Sequence, residues 1–171
     1  TVYVWASIFT VTLLGLATGY ALGGYFSKKP KLFSYLKKSL LFGFILILLI
    51  PLTSQFIMDS LLNLPFLFGV ILASLLLLTP ALICFGMVSP LIIQLLNNST
   101  NIPGKNASKV YSLSTLGGVI STFYFGFYLI PFVGIFWSLI IIAIMVCLGY
   151  IISLSINSSF NSPVFIFLKR A

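Results

Sequence analysis

Long apolar runs separated by short polar interruptions dominate this chain, and those runs set its architecture. A helix needs about 20 apolar residues to cross a hydrocarbon core roughly 30 Å thick. Residues 2–26 form the first such run, with Tyr3 and Trp5 at its start, as suits an interfacial aromatic belt. Residues 39–57 form the second, with Pro51 placed to kink its outer end. The third, residues 66–96, would reach about 46 Å as a straight helix, too long for an untilted span. Pro80, Gly86 and Pro90 interrupt it, so the pattern predicts a kinked helix that leaves the bilayer near Ser89–Pro90. A hairpin of two short helices is the competing reading, and it would move Lys105 and Lys109 to the opposite side. Residues 97–109 read as a polar loop with a turn at Pro103–Gly104. Residues 110–130 and 132–155 form the last two runs, joined by a tight turn at Pro131 and Gly134. The expected fold is therefore all-α, a polytopic membrane bundle of five helices within residues 1–156. Residues 157–171 are expected to form a cytoplasmic tail.

Charge gives this bundle a direction. The chain is 60% hydrophobic and 6% charged, with a mean hydropathy of +1.22, whereas soluble domains carry roughly a quarter charged residues. Lys28, Lys29, Lys31, Lys37 and Lys38 form one basic cluster, Lys105 and Lys109 a second, and Lys169 and Arg170 a third. Threading the chain through a bilayer puts all nine basic residues on one side and the single acid, Asp59, on the other. That is the positive-inside pattern, with the N-terminus outside and the C-terminus cytoplasmic. The +8 net charge does not point to nucleic acid, because the lysines stop where the apolar runs begin. It reads as loops against anionic headgroups, worth about 1 kcal/mol per basic residue. Richness in Lys, Asn, Ile and Phe suggests an AT-rich genome and a bacterial inner membrane. The chain opens on Thr1 without a basic n-region, so its start reads as a cut through a longer frame rather than a signal peptide.

Two series of small residues stand out. Gly15, Gly19 and Gly23 step by four along the first helix, and Ser114, Gly118, Thr122 and Gly126 step by four along the fourth. Each forms a stripe on one helix face, and small residues at that spacing let helices pack closely in lipid. The stripes are expected to mark tight helix contacts, with each other as one pairing, and Gly19→Leu and Gly118→Leu are each expected to disrupt the fold.

Candidate chemistry is sparse. The sequence has no His, no Glu and one Asp, too little for a nucleophilic triad. Cys84 and Cys147 sit in different runs and read as structural thiols rather than metal ligands. No cofactor site is expected. Thr53, Ser54, Gln55, Thr79, Ser89 and Gln94 read as hydrogen-bonding residues between helices.

Several stretches together resemble a known family. The opening VYVWASIFTVTLLGLATGYALGGYFSKKP, the segment PALICFGMVSPLIIQLL at 80–96, and GKNASKVYSLSTLGGVISTFYFGFYLIPFVG at 104–134 are similar to the membrane domain of membrane-bound spermidine synthase-like proteins. The resemblance implies a membrane bundle of half-transporter type, with Gly19, Gly23, Gly24, Gly86, Pro90, Tyr111, Ser114, Thr115, Gly118 and Gly126 at motif positions. It implies that the bundle anchors an aminopropyltransferase domain, in the same or a neighbouring chain, or supplies it with a polyamine-related solute. It transfers no catalytic residue to this chain. The loop of Lys28 departs from the family, which has an acidic residue near that place. Tyr20, Tyr124 and Tyr128 are candidates for an aromatic cage around an amine. Two other readings stand beside this one: a half-transporter for an unrelated small solute, working as a homodimer or with a second half and using the 80–90 stretch, and a non-catalytic subunit of a membrane complex.

Overall fold

The computed structural model describes residues 2–100 and 102–160, with side chains except at 99, 100 and 155–160. The described residues fold into helices with no strand: α1 (Val2–Ser27), α2 (Leu32–Leu61), α3 (Phe66–Thr100), α4 (Pro103–Phe123), a π-helical segment (Tyr124–Leu129), α5 (Ile130–Val133) and α6 (Ile135–Phe160). Five helical stretches are long and apolar enough to cross a membrane, with α4, the π segment and α5 together making the fourth. The chain is an integral membrane protein built as an all-α bundle.

The helices outrun the boundaries expected from the apolar runs. α2 begins at Leu32 and ends at Leu61, so Lys37 and Lys38 lie in its first turns rather than in a loop. α3 continues to Thr100 and α4 starts at Pro103, which makes the expected 97–109 loop mostly helical. Pro103 sits in the first turn of α4, where a missing N–H costs nothing. Pro51, Pro80 and Pro90 all lie inside continuous helices. α3 is therefore one unbroken helix of 35 residues through Ser89–Pro90, as the single-helix reading expects and the hairpin of two short helices does not. Proline is tolerated inside membrane helices because neighbouring groups re-satisfy the freed carbonyls. α6 reaches Phe160, so the first part of the expected tail is helical, while residues 161–171, with Lys169 and Arg170, lie outside the described residues.

Three helices form the best-packed part of the molecule. α1 buries Ser7, Val11, Gly15, Gly19 and Gly23, one residue every four, against α3. α2 buries Leu32, Leu36, Ser39, Gly43 and Ile47, and α6 packs on α2. At the Lys-rich end, Leu32 and Leu36 of α2 meet Leu91 of α3, with Phe26, Tyr35, Met87 and Leu95 around them. Leu91 is fully buried. This cluster brings the end of α1, the start of α2 and the late part of α3 together. The short step from α3 to α4 adds Lys105 and Lys109 to the same end, and Asp59 lies near the opposite end of α2.

The fourth span is different. Every residue from Tyr111 to Tyr124 is exposed. α4 touches α3 near its base, where the Asn106 side-chain amide donates to Asn97 Oδ1 at 2.8 Å. Farther along it becomes a π segment, in which Ile130 N–H reaches back five residues to Phe125 O. The next residue, Pro131, has no N–H to give. Gly134, with φ 87°, then turns the chain into α6, a backbone conformation that glycine adopts freely.

Candidate functional site

The residues singled out by sequence fall into one packed group and one open group. The packed group lies where α1 crosses α3. A Cβ placed on Gly15 would stand 2.9 Å from Leu82 Cβ, and one on Gly19 would stand 2.6 Å from Ile83 O and 2.9 Å from Gly86 Cα. At Gly23 the corresponding distances are 2.5 Å to Pro90 Cγ and 2.8 Å to Met87 O. Seen from α3, a Cβ on Gly86 would stand 3.0 Å from both Gly19 Cα and Leu16 O. The partners advance along α3 as the glycines advance along α1, so the two helices run parallel. Their backbones touch because four glycines leave nothing between them. In lipid this close approach replaces the hydrophobic drive available in water.

The first stripe thus packs on α3, not on the second stripe. Gly19, Gly23, Gly86 and Pro90 come together in this interface. Gly24, one position around the helix, has nothing within 4 Å of an added Cβ.

The open group lies on α4 and the π segment. Gly118 and Gly126 meet nothing within 4 Å, and Tyr111, Ser114, Thr115 and Thr122 are exposed. The two threonine hydroxyls bond to their own helix: Thr115 Oγ1 donates to Tyr111 O and Thr122 Oγ1 to Gly118 O, both at 2.8 Å. The spacing of four also stops meaning one face at Tyr124, because a π turn takes more residues than an α turn. Gly126 therefore leaves the line drawn by Ser114, Gly118 and Thr122.

Other expected constellations resolve as follows. Tyr124 and Tyr128 stack with centroids 6.3 Å apart, and Tyr128 contacts Phe132 at 5.2 Å. Tyr20, on α1, joins no ring contact with them among the described residues. Thr53 and Ser54 donate to Leu49 O and Pro51 O of their own helix, and Gln94 to Asn98 Oδ1, where bonds between helices were expected. Cys84 and Cys147 are free thiols. Among the described residues no three His, Cys, Asp or Glu side chains gather as metal ligands do.

Two features were missed by sequence reading. Ser39 Oγ donates to Cys84 O at 2.5 Å, tying α2 to α3, and a Cβ on Gly43 would stand 3.0 Å from the Phe85 ring. Their spacing of four was the available signal. At the Lys-rich end, the Lys29 ammonium lies 5.1 Å from the ring centroids of Tyr25 and Phe26 and 6.0 Å from that of Tyr35. Phe26 and Tyr35 stack at 4.9 Å. No protein-family model, no curated protein sequence and no solved structure matches this chain.

Proposed function

We propose that this chain is a non-catalytic membrane domain of the spermidine synthase-like kind, which anchors an aminopropyltransferase domain at the cytoplasmic face of a bacterial inner membrane. The observation that carries the reading is the α1–α3 interface. Gly19 and Gly23 come from one of the resembling stretches and Gly86 and Pro90 from another, and they meet in a single contact. A rigid helix pair held by glycine backbones suits an anchor, which needs a fixed platform and no moving parts. The collection of Lys28 to Lys38 with Lys105 and Lys109 at one end of the bundle supports an orientation with that end in the cytoplasm.

Polyamine supply is the more demanding version. Cationic amines in a membrane need carboxylates or aromatic faces, and Tyr124 and Tyr128 offer exposed rings. Reconstituting the chain in liposomes and measuring binding of radiolabelled spermidine tests it. Saturable binding that is lost in Tyr124→Ala and Tyr128→Ala supports solute supply, and no saturable binding leaves the anchor alone.

One observation favours a second reading, a half-transporter that works as a homodimer. α4 exposes its small-residue face without a partner in this chain. A cysteine at position 118 that crosslinks between two copies, together with reagent access along residues 80–90, supports the half-transporter. Absence of both returns the reading to the anchor.

A further inference from the structure

The connection between α1 and α2, together with the first two turns of α2, is the most unbalanced piece of charge in the molecule. Residues 28–38 contain Lys28, Lys29, Lys31, Lys37 and Lys38 and no acid. Lys31 is the N-cap of α2, makes no side-chain capping bond, and is followed by a first turn without an acidic residue. A helix N-terminus already carries partial positive charge and prefers anions beside it. Here it is given lysines instead. Asp59 stands nearly the full length of α2 away, about 40 Å, far beyond the screening length of roughly 8–10 Å. The described part of the chain therefore holds nothing that neutralises this end.

The lysines are not equivalent. Lys29 is half-buried, with its ammonium over the Tyr25 and Phe26 rings. Phe26 and Tyr35 stack on each other and pack on Leu32, Leu36 and Leu91. Lys29 thus ties the short connection to the core of the bundle. Lys28, Lys31 and Lys38 stay exposed around that fixed base. The connection joins two helices of membrane length, so it stands at headgroup depth. Beside it the flanks of α1 and α2 offer exposed apolar side chains, Leu22, Tyr25, Leu41 and Phe42.

We propose that the α1–α2 connection and the start of α2 form a docking surface for anionic phospholipid, with Lys28, Lys31 and Lys38 taking the headgroup charge and the helix flanks taking the acyl chains. The shared chemistry is a phosphate anion. A lipid satisfies the lysines and the apolar flanks together, whereas free phosphate satisfies only the lysines. The surface stands independently of the anchor or transporter reading.

Native mass spectrometry of the full chain in mild detergent tests it, with phosphatidylglycerol and phosphatidylcholine of identical acyl chains offered together. The wild-type chain retains phosphatidylglycerol preferentially. The K28Q/K31Q/K38Q variant loses that preference roughly fivefold per lysine, and K28R/K31R/K38R keeps it, which separates charge from any folding defect. K105Q/K109Q, at the same end of the bundle, changes it less than twofold per residue. Equal loss per lysine in both glutamine variants would replace a docking surface by diffuse surface charge. No preference in the wild type would overturn the proposal, and so would displacement of the lipid by millimolar inorganic phosphate, which would mark a free-anion site.

Discussion

A single methyl group at position 19 would meet a carbonyl oxygen at 2.6 Å and a neighbouring Cα at 2.9 Å, and both belong to backbone that cannot swing aside. Gly19→Ala is expected to lower stability by about 1–3 kcal/mol, the usual range for overpacking, and Gly19→Leu to prevent the α1–α3 contact altogether. Gly118→Leu, expected from sequence to do the same, has open space around it and should leave the melting temperature of the detergent-solubilised monomer within error. Measuring the three variants by thermal unfolding in one detergent checks both halves: equal damage at 19 and 118 would mean that α4 packs more closely than described. Gly43→Ala is the milder case, because its Cβ would meet the far edge of the Phe85 ring, and a ring edge can tilt. Ser39→Ala removes one bond between helices and should cost about 0.6 kcal/mol, the average for such bonds in a membrane.

Helices of this chain were legible in proportion to how much of their burial is expressed as hydrophobicity. The five apolar runs are plain, because lipid demands about 20 apolar residues per span, and the stripe of Gly15, Gly19 and Gly23 is plain because small residues every four positions line one helix face. The partner of that stripe was not legible: periodicity shows that a face is small, and nothing in it says which helix fills the groove. Helix ends differ from the expected bounds where charged residues read as loop. Lys37, Lys38, Lys105 and Lys109 are good helix formers, and they extend α2 and α4 past the apolar runs. The π segment was invisible, since the spacing rule that located Gly126 assumes an unbroken α-helix. At the turn into α6, Gly134→Ala forces a side chain onto a φ of 87°. It should cost about 1–2 kcal/mol and loosen the α5–α6 connection, which limited proteolysis of the reconstituted protein reads directly.

At the scale of the whole molecule, lysines gathered at one end and Asp59 near the other make sidedness a measurable property. In a background with Cys84 and Cys147 replaced by serine, a cysteine at Lys105 should react with an impermeant thiol reagent only after the inside of the vesicle is opened. One at Asp59 should react from outside. Reaction of both from the same side would split α3 into a hairpin. The parallel run of α1 and α3 has a consequence in time as well as in space. Two neighbours that point the same way cannot be consecutive, so α2 must be laid across the bilayer between them. During synthesis the glycine face of α1 therefore stands without its mate until the segment ending at Pro90 has emerged. At roughly 5–20 residues per second that interval lasts about 3–13 seconds. For those seconds the cell holds a helix whose most sociable face is bare backbone, and whatever helix drifts past it first has the chance to bind.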